Sequence, residues 1–307
     1  MRNKKGAISF ILFLLLLASF AGAKNKKITI PFKLLFQYDH SLPLRAKEEK
    51  IAKEDDFIRY HITYLSNRGE EVPAILTIPV RLKPPYEVVF FQHGMGDTKD
   101  CRYMLEGTDG FIKRGYAVFA IDALSFGERA TPITRDASPA VFFKYPYLLR
   151  NIFIQTTIDV LRGIDYLQTR DDINAEGIYY VGNSMSSLYG VIPVALDKRL
   201  KRAVFIVGGA DYQKEMRSMI YVMGIPAKEF ELVEPKNYIG MISPRPVLLI
   251  NALRDGLIPR EAALALFEAA EEPKEQVWMD SEHDIPIRKG VEIIVEWFKE
   301  RDKKKMR

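Results

Sequence analysis

Cysteine is nearly absent from this chain: Cys101 is the only one in 307 residues. A lone cysteine excludes an internal disulfide and any zinc site built from several thiolates. A strong excess of one charge is missing too. The formal net charge is +5, and removing the three positive charges of Arg2, Lys4 and Lys5 leaves +2 for the remainder. That balance is too mild to point to nucleic acid as a partner. No internal repeat or low-complexity segment is present, so the chain is not a repeat array. Histidine is scarce, with His40, His61, His93 and His283 making the whole set. Any chemistry that needs an imidazole must use one of these four.

Long apolar runs are also missing, with one exception at the start. Arg2, Lys4 and Lys5 precede residues 6–23, which carry no charge and end in Ala21-Gly22-Ala23. A positive start, an apolar centre and small residues at the end are the pattern of a secretory signal peptide. The expected division is therefore a signal peptide over 1–23 and one folded domain over 24–307, in an exported protein. The alternative is an uncleaved anchor, because an uncharged run of this length is at the edge of spanning a bilayer. Membrane association follows only in that case. The C-terminal Lys303-Lys304-Lys305 reads as a solvated tail.

Periodicity sets the layout of the rest. Residues 56–66 and 71–79 read as an antiparallel pair around Asn67-Arg68-Gly69. Strands near 87–92, 116–121, 177–181, 202–207, 246–251 and 275–279 follow, separated by helical patterns. Such alternation predicts right-handed crossovers and an α/β fold with a mostly parallel central sheet. The clearest helix covers about 148–169. A last helix, about 287–301, presents Val291, Ile294, Val295 and Phe298 on one face.

Gly182-Asn183-Ser184-Met185-Ser186 sits where the strand-like Gly177-Ile178-Tyr179-Tyr180-Val181 meets an apolar helical pattern that Pro193 should shorten or kink. Strand, tight turn with serine, then helix is the setting of a nucleophile elbow. Its flanking positions must be small because the strand and helix backbones pass close together. Serine at 186, in place of the common glycine, meets that demand. The rival reading is a serine in an ordinary β–α turn.

A serine nucleophile needs a base and an acid that orients it. His283 is the only histidine late in the chain and falls on a loop after a strand. Asp255 follows the buried run Val247-Leu248-Leu249-Ile250-Asn251. Asp280 and Glu282 are weaker rivals for the acid, too close to His283 in sequence to reach its ring without a tight local turn. His93-Gly94-Met95-Gly96 follows an early strand, and its glycines let backbone approach a substrate. The N–H groups of Met95 and Met185 are the expected oxyanion donors, with His93 holding the loop. No cofactor is required by this chemistry.

These pieces, in their order along the chain, resemble the α/β-hydrolase superfamily, in particular bacterial dienelactone-hydrolase-like and acetyl-xylan-esterase-like serine esterases. The resemblance rests on Tyr38-Asp39-His40-Ser41-Leu42-Pro43-Leu44, Val72-Pro73-Ala74-Ile75-Leu76-Thr77-Ile78-Pro79, His93-Gly94-Met95-Gly96, Asp122-Ala123-Leu124-Ser125-Phe126-Gly127-Glu128-Arg129, the serine elbow and Arg245-Pro246-Val247-Leu248-Leu249-Ile250. Dienelactone hydrolases proper use cysteine where this elbow has serine. The order Ser184, Asp255, His283 is the order of that superfamily. The resemblance implies hydrolysis of a small-molecule ester, without naming the ester or an oligomeric state. Two other readings stay open: a peptidase of the prolyl-oligopeptidase type, and a noncatalytic binding module on the same fold. Segments 130–147 and 211–243 lie where loops above the sheet belong. Both could roof the pocket, the second as a lid before the penultimate strand; the rival reading is ordinary packing against the domain.

Overall fold

The computed structural model describes residues 32–135, 141, 144, 145, 147–217 and 230–305. The expected signal segment, 1–23, and the middle of the expected lid, 218–229, lie outside the described residues. The chain divides into two compact units, Met1–Leu35 and Phe36–Arg307.

Among the described residues, nine strands form one sheet in the order β1-β2-β3-β5-β4-β6-β7-β8-β9. They are β1 Lys47–Lys53, β2 Phe57–Leu65, β3 Glu71–Pro79, β4 Tyr86–Gln92, β5 Ala117–Ile121, β6 Ile173–Asn183, β7 Leu200–Ile206, β8 Val247–Ala252 and β9 Lys274–Met279. The pairings β1–β2, β2–β3 and β3–β5 are antiparallel, and the remaining five are parallel. The sheet is thus mostly parallel, as the alternating pattern implies.

The central strands are apolar without alternation because helices cover both faces. Val88, Val89, Phe90 and Phe91 of β4 are consecutive and all buried. On one face, Val89, Phe91, Val181, Val204 and Ile250 form a core with α1 (Arg102–Ile112) and α6 (Ile287–Lys305). On the other, Phe119 and Tyr64 stack with Tyr166 of α2 (Leu148–Leu167), and Phe90 meets Phe119 edge-on. β1 was not foreseen. Its sequence, Lys-Glu-Glu-Lys-Ile-Ala-Lys, is exposed at six of seven positions. Charges on a terminal strand discourage pairing with another chain, so its stability comes from the ladder to β2 and not from an apolar stripe.

Two further departures concern helices. The helix after the serine turn is split into α3 (Met185–Tyr189) and α4 (Val191–Leu196), with the break at Gly190. Pro193 cannot donate to the carbonyl four residues back, so it falls in the first turn of α4, where no such bond is needed. Lys303-Lys304-Lys305 is not a tail but the end of α6. Helix α5 spans Arg260–Ala269, between β8 and β9. Among the described residues no helix is long and apolar enough to cross a membrane.

Candidate active site

β6 ends at Asn183, and Ser184 turns the chain into α3 with φ 55° and ψ −113°. A positive φ is costly for a residue with a Cβ, so neighbours must hold it. Ser184 N–H donates to Ile206 O of β7 at 2.9 Å. The Ser186 hydroxyl accepts from Asn183 N–H at 2.7 Å and donates to Gln92 O of β4 at 2.8 Å. Ser186 therefore supplies hydrogen bonds that a glycine could not. A Cβ on Gly182 would lie 2.5 Å from Ser186 O, so only glycine fits there.

Above the turn, Ser184 Oγ is 2.9 Å from His283 Nε2. His283 Nδ1 is 2.9 Å from both carboxylate oxygens of Asp255. Asp255 Oδ1 also accepts from Leu257 N–H and Ile258 N–H, at 2.9 Å each. Burial opposes ionisation of Asp255. The imidazole and the N–H groups of Ile258 and Leu257 outweigh it and hold the carboxyl below its usual pKa. The rival Asp280 is exposed and ion-pairs with Arg254. Among the described residues neither Asp280 nor Glu282 hydrogen-bonds His283. The loop β8–α5 thus brings Asp255 to the histidine across 28 positions of sequence.

The loop after β4 passes beside the serine: a Cβ on Gly94 would lie 3.5 Å from Ser184 Cβ. His93 is buried, donates from Nδ1 to Gly94 O at 2.7 Å, and accepts from Ala123 N–H at Nε2 at 3.1 Å. Burial lowers its pKa, which fits a neutral ring that positions the loop. Met95 N–H has no hydrogen-bond partner among the described residues. Met185 is the first residue of α3, where helix N–H groups are left open.

The cleft over Ser184 has a volume of about 920 Å³ and is lined by Gly94, Met95, Asp97, Tyr103 and His283, among others. Its wall is the N-terminal turn of α1, which the sequence pattern did not single out. Cys101, the N-cap of α1, also lines it, and burial pushes its thiol pKa up. Neither roofing segment contributes to the cleft among the described residues. Phe230 instead packs on Phe153 and Tyr212, with centroids 6.0 and 5.1 Å apart. Ile133, Tyr145 and Tyr147 line a separate hollow of about 460 Å³ with Ser125. The described aromatic residues of these segments thus pack on the body or line that hollow. Among the described residues, no group of three His, Cys, Asp or Glu side chains is arranged to hold a metal ion.

No protein-family model matches the chain. It is 28% identical over 250 residues to a putative hydrolase, YtaP, of Bacillus subtilis (strain 168), covering 75% of this chain and 81% of that protein. Acetyl xylan esterase 1 from Thermoanaerobacterium sp. JW/SL YS485 superposes with a TM-score of 0.68 at 14% identity, over 86% of this chain and 90% of that one. The acetyl xylan esterase from Paenibacillus sp. R4 gives a TM-score of 0.64 at 17% identity, over 87% and 91%. The order of strands, the serine turn between β6 and α3 and these likenesses agree: this chain has the α/β-hydrolase fold.

Proposed function

We propose that the protein is a serine carboxylester hydrolase. The observation that carries this reading is the continuous hydrogen-bonded line Ser184 Oγ, His283, Asp255, open to a cleft. With Asp255 on Nδ1–H, Nε2 is free to accept the Ser184 proton. The oxygen then attacks the ester carbonyl, forming the Oγ–C bond. Collapse of the tetrahedral intermediate breaks the bond to the alcohol, which leaves with the proton from Nε2. Water, deprotonated by the same nitrogen, attacks the acyl-enzyme. The acid departs and Ser184 regains its proton. Met95 and Met185 N–H hold the negative oxygen in both halves. No cofactor takes part in any of these steps.

The substrates are small-molecule esters. Acetylated saccharides, of the kind named for two of the structural neighbours, belong in the first screen beside 4-nitrophenyl acyl esters of graded length. The protein is exported, with 1–23 removed as a signal peptide, and N-terminal sequencing from a native-like host tests that part. Recovery of intact Met1 in membranes would favour the anchor. For the chemistry, the wild-type protein is expected to hydrolyse 4-nitrophenyl acetate and to take up a fluorophosphonate at Ser184. Ser184→Ala should remain folded and lose several orders of magnitude in kcat. Near-wild-type turnover by that variant would refute the assignment.

A further inference from the structure

Tyr103 stands in the first turn of α1, and its hydroxyl meets the loop after β4 twice. It accepts from Gly94 N–H at 2.8 Å and donates to Asp97 Oδ2 at 3.2 Å. The partners leave no ambiguity of direction, since an amide N–H only donates and a carboxylate only accepts. Burial, followed by the Asp97 charge, pushes the hydroxyl far above an ordinary phenol, so it keeps its proton.

Gly94 is held from its other side as well, because His93 Nδ1–H donates to Gly94 O at 2.7 Å. That carbonyl and Met95 N–H belong to one planar trans peptide and point in opposite directions. Fixing the carbonyl therefore aims the Met95 donor. A side chain at Gly94 would crowd the carboxylate that orients Tyr103: a Cβ would lie 3.1 Å from Asp97 Oδ2 and 3.5 Å from Ser184 Cβ. A glycine has the widest backbone freedom of any residue. Its two flanking peptides must be restrained from outside, one by His93 and one by Tyr103.

Building on the reading of Ser184, Asp255 and His283 given above, we propose that Tyr103, oriented by Asp97, is a positioning residue for the oxyanion site. It touches no reacting atom. It holds the peptide before Gly94 so that Met95 N–H stays aimed at the oxygen that becomes negative. Charge develops there only in the transition state, so the restraint acts on kcat and leaves substrate binding nearly untouched.

The test uses the full chain, 4-nitrophenyl acetate turnover and the rate of Ser184 phosphonylation by a fluorophosphonate. Loss of a whole oxyanion donor costs about 10²–10³ in kcat, so a loosened donor in Tyr103→Phe should cost about 10–100-fold, with KM within about twofold. Phosphonylation should slow in parallel. Asp97→Ala should lower kcat, and Asp97→Asn should keep most activity because its amide oxygen still accepts. The double variant Tyr103→Phe with Asp97→Ala should be no slower than Tyr103→Phe alone, since both act through one hydroxyl. Should Tyr103→Phe fold poorly, the Asp97 pair reads the same restraint with the ring in place. Wild-type kcat in Tyr103→Phe, a loss confined to KM, or additive losses would overturn the proposal while leaving Ser184 labelled. Failure of the wild-type protein to label at Ser184 would overturn the underlying reading and this proposal together.

Discussion

The Asp255 carboxylate straddles His283 Nδ1, with both oxygens 2.9 Å from it, although Asp280 and Glu282 are far closer in sequence. Asp255→Asn should keep the geometry but offer an amide N–H to the ring, favouring the wrong tautomer, at a cost on the order of 10⁴ in kcat. Asp280→Asn and Glu282→Gln should stay within about threefold of wild type. Comparing the three kcat values decides the matter. A crippled Asp280→Asn beside an active Asp255→Asn would reassign the acid.

The same contact has a pH signature in stability. The folded-state pKa of Asp255 is lowered, so its ionised form favours the fold. Its contribution is complete above the unfolded carboxyl value of about 3.9 and is lost as pH falls through the lower folded value. The Tm advantage of wild type over Asp255→Asn should therefore shrink between about pH 5 and pH 2. Calorimetric scans across that range test it, and an advantage that grows on acidification would contradict the sign.

Ser186→Gly would restore the commoner elbow sequence, yet it should destabilise this protein. It removes the bond to Gln92 O and leaves Asn183 N–H without its partner, at a cost of about 1–3 kcal/mol. Gly182→Ala drives a Cβ against backbone at 2.5 Å and should cost a similar 1–3 kcal/mol, roughly, through overpacking. Chemical denaturation measures both. A neutral Ser186→Gly would mean that its hydroxyl bonds are not needed to hold the turn.

Lys99 and Asp122 form a buried pair, their side chains 2% and 0% exposed, with Nζ 2.8 Å from Oδ2. Asp122 also receives N–H groups from Lys99 and Glu128. Lys99→Met leaves that carboxylate buried without its cation, which should cost about 3–5 kcal/mol. Adding Asp122→Asn should recover part of the loss. Denaturation of Lys99→Met, Asp122→Asn and the double variant gives the coupling, and simple additivity would argue against it.

The serine, the acid and the histidine could be singled out because each stands just past a strand whose pattern survives in the sequence. Their meeting follows from parallel strands that end on one side of a sheet. β1 was not legible, since its charged residues carry no period and its place is set by pairing with β2. The cleft wall was missed for a related reason. Tyr103 reaches Gly94 only because the loop between them folds back on α1, and no local pattern encodes that return. Proline and aromatic residues in 130–147 and 211–243 suggested a roof. In the described parts of those segments, the same residues pack on the body or line the separate hollow.

Strand β6 lies inside the sheet, and its serine turn is tied on one side to Gln92 of β4 and on the other to Ile206 of β7. No local opening at the periphery touches both anchors. The most protected amides in hydrogen exchange should include Ser184, and loss of hydrolysis on heating should track cooperative melting of the sheet rather than precede it. The strained residue should then sit inside the last unit to come apart.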